Sequence, residues 1–270
     1  MRALIVWLLI SRLQEKAKIV FLFCNSAIYN GDNPPIVIDA GADLESIKKA
    51  SEQAYTSAKK SVEDYYTNVI RHWLSDEIAT DSTDACKAWI GGMSFSSQDR
   101  ADTIRPALNS YFDSFCREES SAIVALSRAL QIVLYTCEYK SSSPSDFCRV
   151  LGVRSGLIGP KGNRAKVKRY LTNSFTLETI TLSTLSPDEL KDGVELKELS
   201  NRLVEKYNII IGADSELEYS LLEKYNIAQA TPGDLRGDLR INALKLADTY
   251  ISLGLGKKYA DGVTLIGWRL

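Results

Sequence analysis

Histidine is almost missing from this sequence: His72 is the single one in 270 residues. It sits in Ile70-Arg71-His72-Trp73 with no Cys or Asp at catalytic spacing, so a structural role is expected for it. Cysteine is sparse and scattered. Cys24, Cys86, Cys116, Cys137 and Cys148 are odd in number and form no CxxC pair. A zinc site of standard spacing and a disulfide framework are thereby excluded, which leaves reduced, mostly buried thiols of a cytosolic protein. Long apolar runs are lacking too. Ala3 to Ile10, after Arg2, is too short to span a bilayer and is followed by no small-residue cleavage site. A buried helix or strand is expected there, and the chain is placed in the cytoplasm with no membrane contact. Net charge is only -1 and the pI is near 6.0, which rules out a coat of positive charge and confines any nucleic-acid contact to one face. No Gly-x-x-x-x-Gly-Lys-Ser/Thr occurs, so nucleotide hydrolysis has no support, and neither a cofactor nor a metal is expected.

What is present belongs to an ordinary globular chain: 45% hydrophobic and 25% charged residues, long enough for one large domain or two. Residues 18–24 and 36–38 are short runs of β-formers around the turn-rich stretch 30–35, and predict a small sheet element. From Leu44 the period changes. Ile47, Ala50, Ala54, Ala58, Val62, Tyr65, Val69 and Trp73 recur at steps of three or four and predict one long amphipathic helix. Further helices are expected over 84–90, from Arg105-Pro106 with Leu108, Tyr111, Phe112 and Phe115 inward, and over 120–138 with Ile123, Leu126, Leu130, Val133, Leu134 and Cys137 inward. Ser141-Ser142-Ser143-Pro144 reads as a linker, dividing the chain into domains 1–140 and 141–270. Residues 175–182 could be a strand or a short helix. Ser186-Pro187-Asp188-Glu189 starts a helix that carries on to Tyr207. A helix from Leu235 to Leu253, stopped by Gly254 and Gly256, precedes a β-hairpin over 257–266, which is the outline of a winged helix. The fold class expected is therefore mostly α: a helical bundle with a small N-terminal α/β element and a C-terminal winged-helix-like unit.

The functional signal lies in 149–169, where Arg149, Arg154, Lys161, Arg164, Lys166, Lys168 and Arg169 gather while no acid intervenes between Asp146 and Glu178. A local excess of this kind is an electrostatic footprint for phosphate. Arg154, Lys161, Arg164, Lys166, Lys168 and Arg169, with Lys257 and Lys258 of the hairpin, are the expected nucleic-acid contacts. No catalytic residue is assigned. The letters of a PD-(D/E)xK nuclease occur in Pro187-Asp188, Glu189-Leu190-Lys191 and Glu195-Leu196-Lys197. They are compressed into a helix start, however, where a cap and a charged face account for them.

Two resemblances follow from these residues. Gly159-Pro160-Lys161-Gly162, with Leu157-Ile158 before it and Lys166-Val167-Lys168 after it, resembles the GxxG loop of KH RNA-binding domains. It departs from that pattern at the small Ala165 and in the turn-rich Ser141–Ser145, where a strand is expected. The layout of 164–182, Glu198-Leu199-Ser200-Asn201-Arg202-Leu203, Tyr207-Asn208-Ile209-Ile210-Ile211-Gly212, Leu253-Gly254-Leu255 and Tyr259-Ala260-Asp261-Gly262 resembles the C-terminal parts of uncharacterised accessory proteins in prokaryotic anti-phage gene clusters. That resemblance transfers no functional residue. It implies a subunit working beside a nuclease, methyltransferase or ATPase. The reading is a non-catalytic nucleic-acid-binding accessory subunit, with duplex DNA and other protein subunits as partners. A scaffold without nucleic acid, a metal-dependent nuclease and a KH-like RNA-binding protein are the alternatives.

Overall fold

The computed structural model describes residues 34–138, 143–161, 167–229, 231 and 233–267. Among them are ten α-helices and seven short strands, so the chain is mostly α with a small α/β element. The apolar run 3–10 and the strand expected at 18–24 lie outside the described residues. Among the described residues no helix is long and apolar enough to cross a membrane.

Contacts divide the chain into two compact units, one reaching Lys59 and resuming at Cys148, the other Lys60–Phe147. One crossing point falls between Phe147 and Cys148, inside the helix Pro144–Ser155, and the other between Lys59 and Lys60, inside the helix Glu45–Glu77. Strand β1 (Ile36–Val37) is followed by helix α1 (Glu45–Glu77), which runs through that crossing. The expected stripe is buried at Ile47, Ala50, Ala54, Ala58 and Val62, but Val69 and Trp73 are 43% and 49% exposed. At about 100° per residue Val69 stays between Ala58 and Val62 around the helix, so its exposure is not drift of the stripe; it lies past Lys60, where the helix belongs to the other unit. Leu74 and Ile78 are buried there instead.

The second unit continues with α2 (Thr83–Gly92), α3 (Gln98–Phe115) and α4 (Ala122–Val133), the last passing into a π-type turn at Leu134–Glu138. Ser82, Ser97 and Ser121 cap the three helices, each side chain accepting from a backbone N–H three residues on. Helix α3 therefore starts at the Ser97 cap and not at Arg105-Pro106, and Pro106 lies inside it. Ile90, Leu108, Phe112, Ile123, Leu126 and Val133 form its core. Tyr111 and Leu134, expected inward, are exposed. Cys86, Cys116 and Cys137 are thiols, and burial pushes Cys86 up to about 11.

The first unit resumes in α5 (Pro144–Ser155), so Pro144 opens a helix. Then come β2 (Ile158–Gly159), β3 (Arg169–Tyr170), α6 (Ser174–Thr184), α7 (Pro187–Asp192), β4 (Val194–Glu195), α8 (Leu196–Tyr207), β5 (Ile209–Ile210), α9 (Ser215–Lys224), α10 (Leu235–Ser252), β6 (Gly256–Lys258) and β7 (Thr264–Ile266). The ambiguous 175–182 is helical: Asn173 accepts from Thr176 N–H at 2.8 Å, and Leu177, Ile180 and Thr181 are buried at helical spacing. The hairpin β6–β7 forms as expected, and β4 joins it in the order β4-β7-β6. Its partner sheets are the antiparallel pair β2–β3 and the parallel pair β1–β5, Ile36 opposite Ile209.

Both parallel strands run into the same three residues, Gly41-Ala42-Asp43 and Gly212-Ala213-Asp214, and then into a helix. Their ends are tied together from α10. The fully buried Asn242 donates to the carbonyls of Ile38 (2.9 Å) and Ile211 (3.0 Å) and accepts from Ala40 N–H (2.9 Å). From α9, Glu218 Oε1 accepts from the N–H groups of Ile211 and Gly212, both at 3.0 Å, and from Ser200 Oγ at 2.6 Å. Asn242 and Glu218 Oε1 thus hold the strand ends, while Glu218 Oε2 is buried without a hydrogen-bond partner among the described residues.

Candidate nucleic-acid interface

The basic stretch begins on α5. That helix stops at Gly156, whose φ of +83 allows Leu157 N–H to reach back to the Gly152 carbonyl at 2.9 Å. The chain then turns into β2 and returns in β3 with Gly159 opposite Arg169. A KH loop joins two helices, whereas here Gly159 stands in a strand and the next described element is β3, not a helix. Gly162, Arg164 and Lys166 lie outside the described residues.

Of the cations that made this hairpin basic, Lys168 ties its two sides together and Arg169 fastens it to the rest of the unit. Lys168 is buried and donates to the Pro160 carbonyl at 2.6 Å. Arg169 Nε pairs with Asp39 Oδ2 at 2.7 Å, and the Asp39 side chain is 1% exposed. Asp39 Oδ1 accepts from Gly41 N–H at 2.8 Å, and Asp39 N–H donates to the Tyr170 carbonyl at 3.1 Å. Ser51 of α1 bonds both the N–H and the carbonyl of Tyr170, at 2.8 and 3.0 Å. Lys168 and Arg169 are therefore taken up by the fold, and they are withdrawn from the expected phosphate contacts. A long cation is seldom buried unless paired, and both of these have found acceptors.

Arg154 and Lys161 remain exposed, as do Lys257 and Lys258 on β6. The end of the terminal hairpin is shaped by Gly262 (φ +87), whose N–H donates to the Tyr259 carbonyl at 3.0 Å, and by Asp261, which accepts from Val263 N–H at 3.0 Å. Lys257 Nζ lies 5.2 Å from the Tyr259 ring centre. Glycine packs the hairpin onto α10: a Cβ on Gly256 would stand 3.0 Å from that of Tyr250. A groove of about 300 Å³ lies between α10 and the hairpin, with Lys197, Arg240, Leu244 and Val263 in its walls.

The nuclease letters are dispersed. Ser186 and Glu189 form a reciprocal capping box on α7, and Arg202 together with that box holds the Glu189 carboxyl down at about 2. Glu195 lies in β4 and Lys197 in α8. Among the described residues no group of three His, Cys, Asp or Glu side chains could hold a metal ion. His72 is exposed on α1.

Sequence reasoning missed the Asp39–Arg169 pair and the Asn242 clamp. Nothing local marked Asn242. Comparison with protein families, with curated proteins and with solved structures found no match.

Proposed function

We propose that this chain is a non-catalytic nucleic-acid-binding subunit of a prokaryotic defence or DNA-processing complex, with duplex DNA as its target. One observation supports the reading: an exposed lysine pair, Lys257 and Lys258, on a terminal hairpin whose sheet has the strand order β4-β7-β6 that a winged helix calls for. Helix α7, strand β4, helix α8, helix α10 and the β6–β7 hairpin follow in that order, and the lone strand β4 pairs with the last strand β7. The insertion of β5 and α9 before α10 is a departure from the plain pattern. Positive charge on a wing has a phosphate backbone as its natural partner. The defence setting rests on the resemblance of the C-terminal layout alone.

The test is a duplex titration at several salt concentrations. Each phosphate contact steepens the salt dependence by about 0.9 in log–log slope. Changing Lys257 and Lys258 together to alanine should flatten the slope by up to roughly two units and weaken all sequences equally. An unchanged slope rejects the wing.

The scaffold reading also has an observation in its favour. Helix α10 exposes Ile241 at 47% and Leu244 at 53%, while its Arg236 and Arg240 are engaged by Glu216. An apolar face with its neighbouring charges already satisfied suits a protein partner better than DNA. If no nucleic acid binds at low salt, this reading replaces the first.

A further inference from the structure

We propose that the surface around Arg154 and Phe175 binds an unpaired nucleic-acid strand, bases stacking on the Phe175 ring while Arg154 and Lys161 meet the phosphates. The inference rests on the nucleic-acid reading for its partner class and differs from it in site and strandedness.

Its first ground is placement. Thr176 Oγ1, in the first turn of α6, donates to the carbonyl of Ser155, the last residue of α5. Phe175 precedes one end of that hydrogen bond and Arg154 precedes the other, so the two residues are neighbours of one contact between the helices. Asn173 of the α6 cap lies against Gly156, where an added Cβ would stand 2.0 Å from its side-chain nitrogen. This junction is closely packed, and it holds Arg154 and Phe175 on rigid ends of two helices. The β2–β3 hairpin leaves from the same place, Leu171 N–H donating to the Leu157 carbonyl at 2.9 Å.

The second ground is composition. Phe175 is 59% exposed, more than any other large hydrophobic among the described residues, and Val150 and Val167 are 36% and 49% exposed. All three fall within the acid-free run between Asp146 and Glu178. Val150 and Arg154 share a face of α5, four residues apart. Exposed apolar groups are common singly, but here they alternate with cations on one acid-free stretch. A duplex offers such a surface only its phosphates, its bases being stacked inside. An unpaired strand offers phosphates and the flat faces of its bases together, and this is what a ring flanked by cations recognises. A membrane or a protein would reward the valines, but the exposed cations Arg154 and Lys161 favour a polyanion.

The probes are fluorescein-labelled homopyrimidine DNA and RNA oligonucleotides and a blunt duplex, each titrated against the full chain. Phe175→Ala should weaken single-strand binding between about 5-fold and 100-fold while leaving duplex affinity as it was, and Phe175→Tyr, which keeps a ring, should bind nearly as the wild type does. Arg154→Gln should flatten the single-strand salt slope by about 0.7. The Lys257/Lys258 double alanine variant should do the reverse, losing duplex and keeping single strand. Circular dichroism on each variant checks the fold, and the tyrosine variant keeps the test decisive should the alanine one unfold. Stronger binding of one oligonucleotide tells whether DNA or RNA is the strand concerned, and either supports the proposal. Wild-type protein that binds duplex but no single strand, or Phe175→Ala with single-strand affinity within about twofold of wild type, overturns this inference and leaves the wing reading standing. Protein that binds none of the three probes overturns both.

Discussion

Arg169 decides between two roles for a cation in the basic stretch, and replacing it by alanine separates them. The substitution leaves the Asp39 carboxylate, 1% exposed, with the Gly41 N–H as its remaining donor among the contacts described above. Removing one partner of a buried pair costs about 3–5 kcal/mol, because the other charge stays desolvated. Arg169 is itself 23% exposed, so water can follow the deleted side chain toward Asp39 and recover part of that loss. The expected destabilisation is about 2–3 kcal/mol, just below the range for a fully buried pair. Urea unfolding followed by circular dichroism measures it. The double variant Asp39→Asn with Arg169→Ala removes the stranded charge and should recover a substantial part of the loss, giving a coupling energy above about 1 kcal/mol in the cycle. A loss below about 0.5 kcal/mol in Arg169→Ala, typical of an exposed pair, would refute the assignment and return Arg169 to the phosphate contacts.

Two further outcomes follow from the strand junction. Gly212→Ala would set a Cβ 1.9 Å from the Leu239 carbonyl oxygen at a φ of +99, so a loss of more than about 3 kcal/mol or insoluble protein is expected, whereas Gly41→Ala, with φ +79 and open space, should cost about 1–2 kcal/mol; equal melting temperatures for the two would refute the packing argument. Burial holds the Glu218 carboxyl above the ordinary glutamate value of 4.5 despite its three donors. The folded state therefore binds this proton more tightly than the unfolded one, and stability falls as pH rises from about 4.5 through the folded value. Glu218→Gln should lack that decline, and parallel stability–pH curves for the two proteins would count against it.

The helices over 84–90 and 120–138 were legible from their local apolar spacing, whereas the Ser97 cap went unread and the expected start at Arg105 falls inside its helix. The terminal hairpin was legible locally as well, its turn residues Asp261 and Gly262 standing between short strands. The association of residues 36–59 with the C-terminal part was not. It depends on Ile36 finding Ile209, and a two-residue parallel pairing leaves no alternation to read. The exposure of Val69 and Trp73 was not legible either, since both continue the 3.6-residue stripe and lie where the helix has passed into the other unit.

The basic stretch shows where charge counting stops. Arg154, Lys161, Lys168 and Arg169 look alike in the sequence, and all four lie in a run without acids. What distinguishes them is Asp39, a carboxylate 130 positions away, and a carbonyl at Pro160 that Lys168 reaches only once the hairpin has formed. Two of the four cations thus serve to fix the surface on which the other two are displayed. This division gives the basic residues separable phenotypes. Arg169→Ala should lower nucleic-acid binding only as far as it lowers the folded fraction, so its binding deficit should vanish when an osmolyte restores the fold. Phe175→Ala and Arg154→Gln remove contacts from a surface that stays intact, and no osmolyte should rescue them. A deficit in Arg169→Ala that persists at full folding would mean that its guanidinium also reaches the ligand.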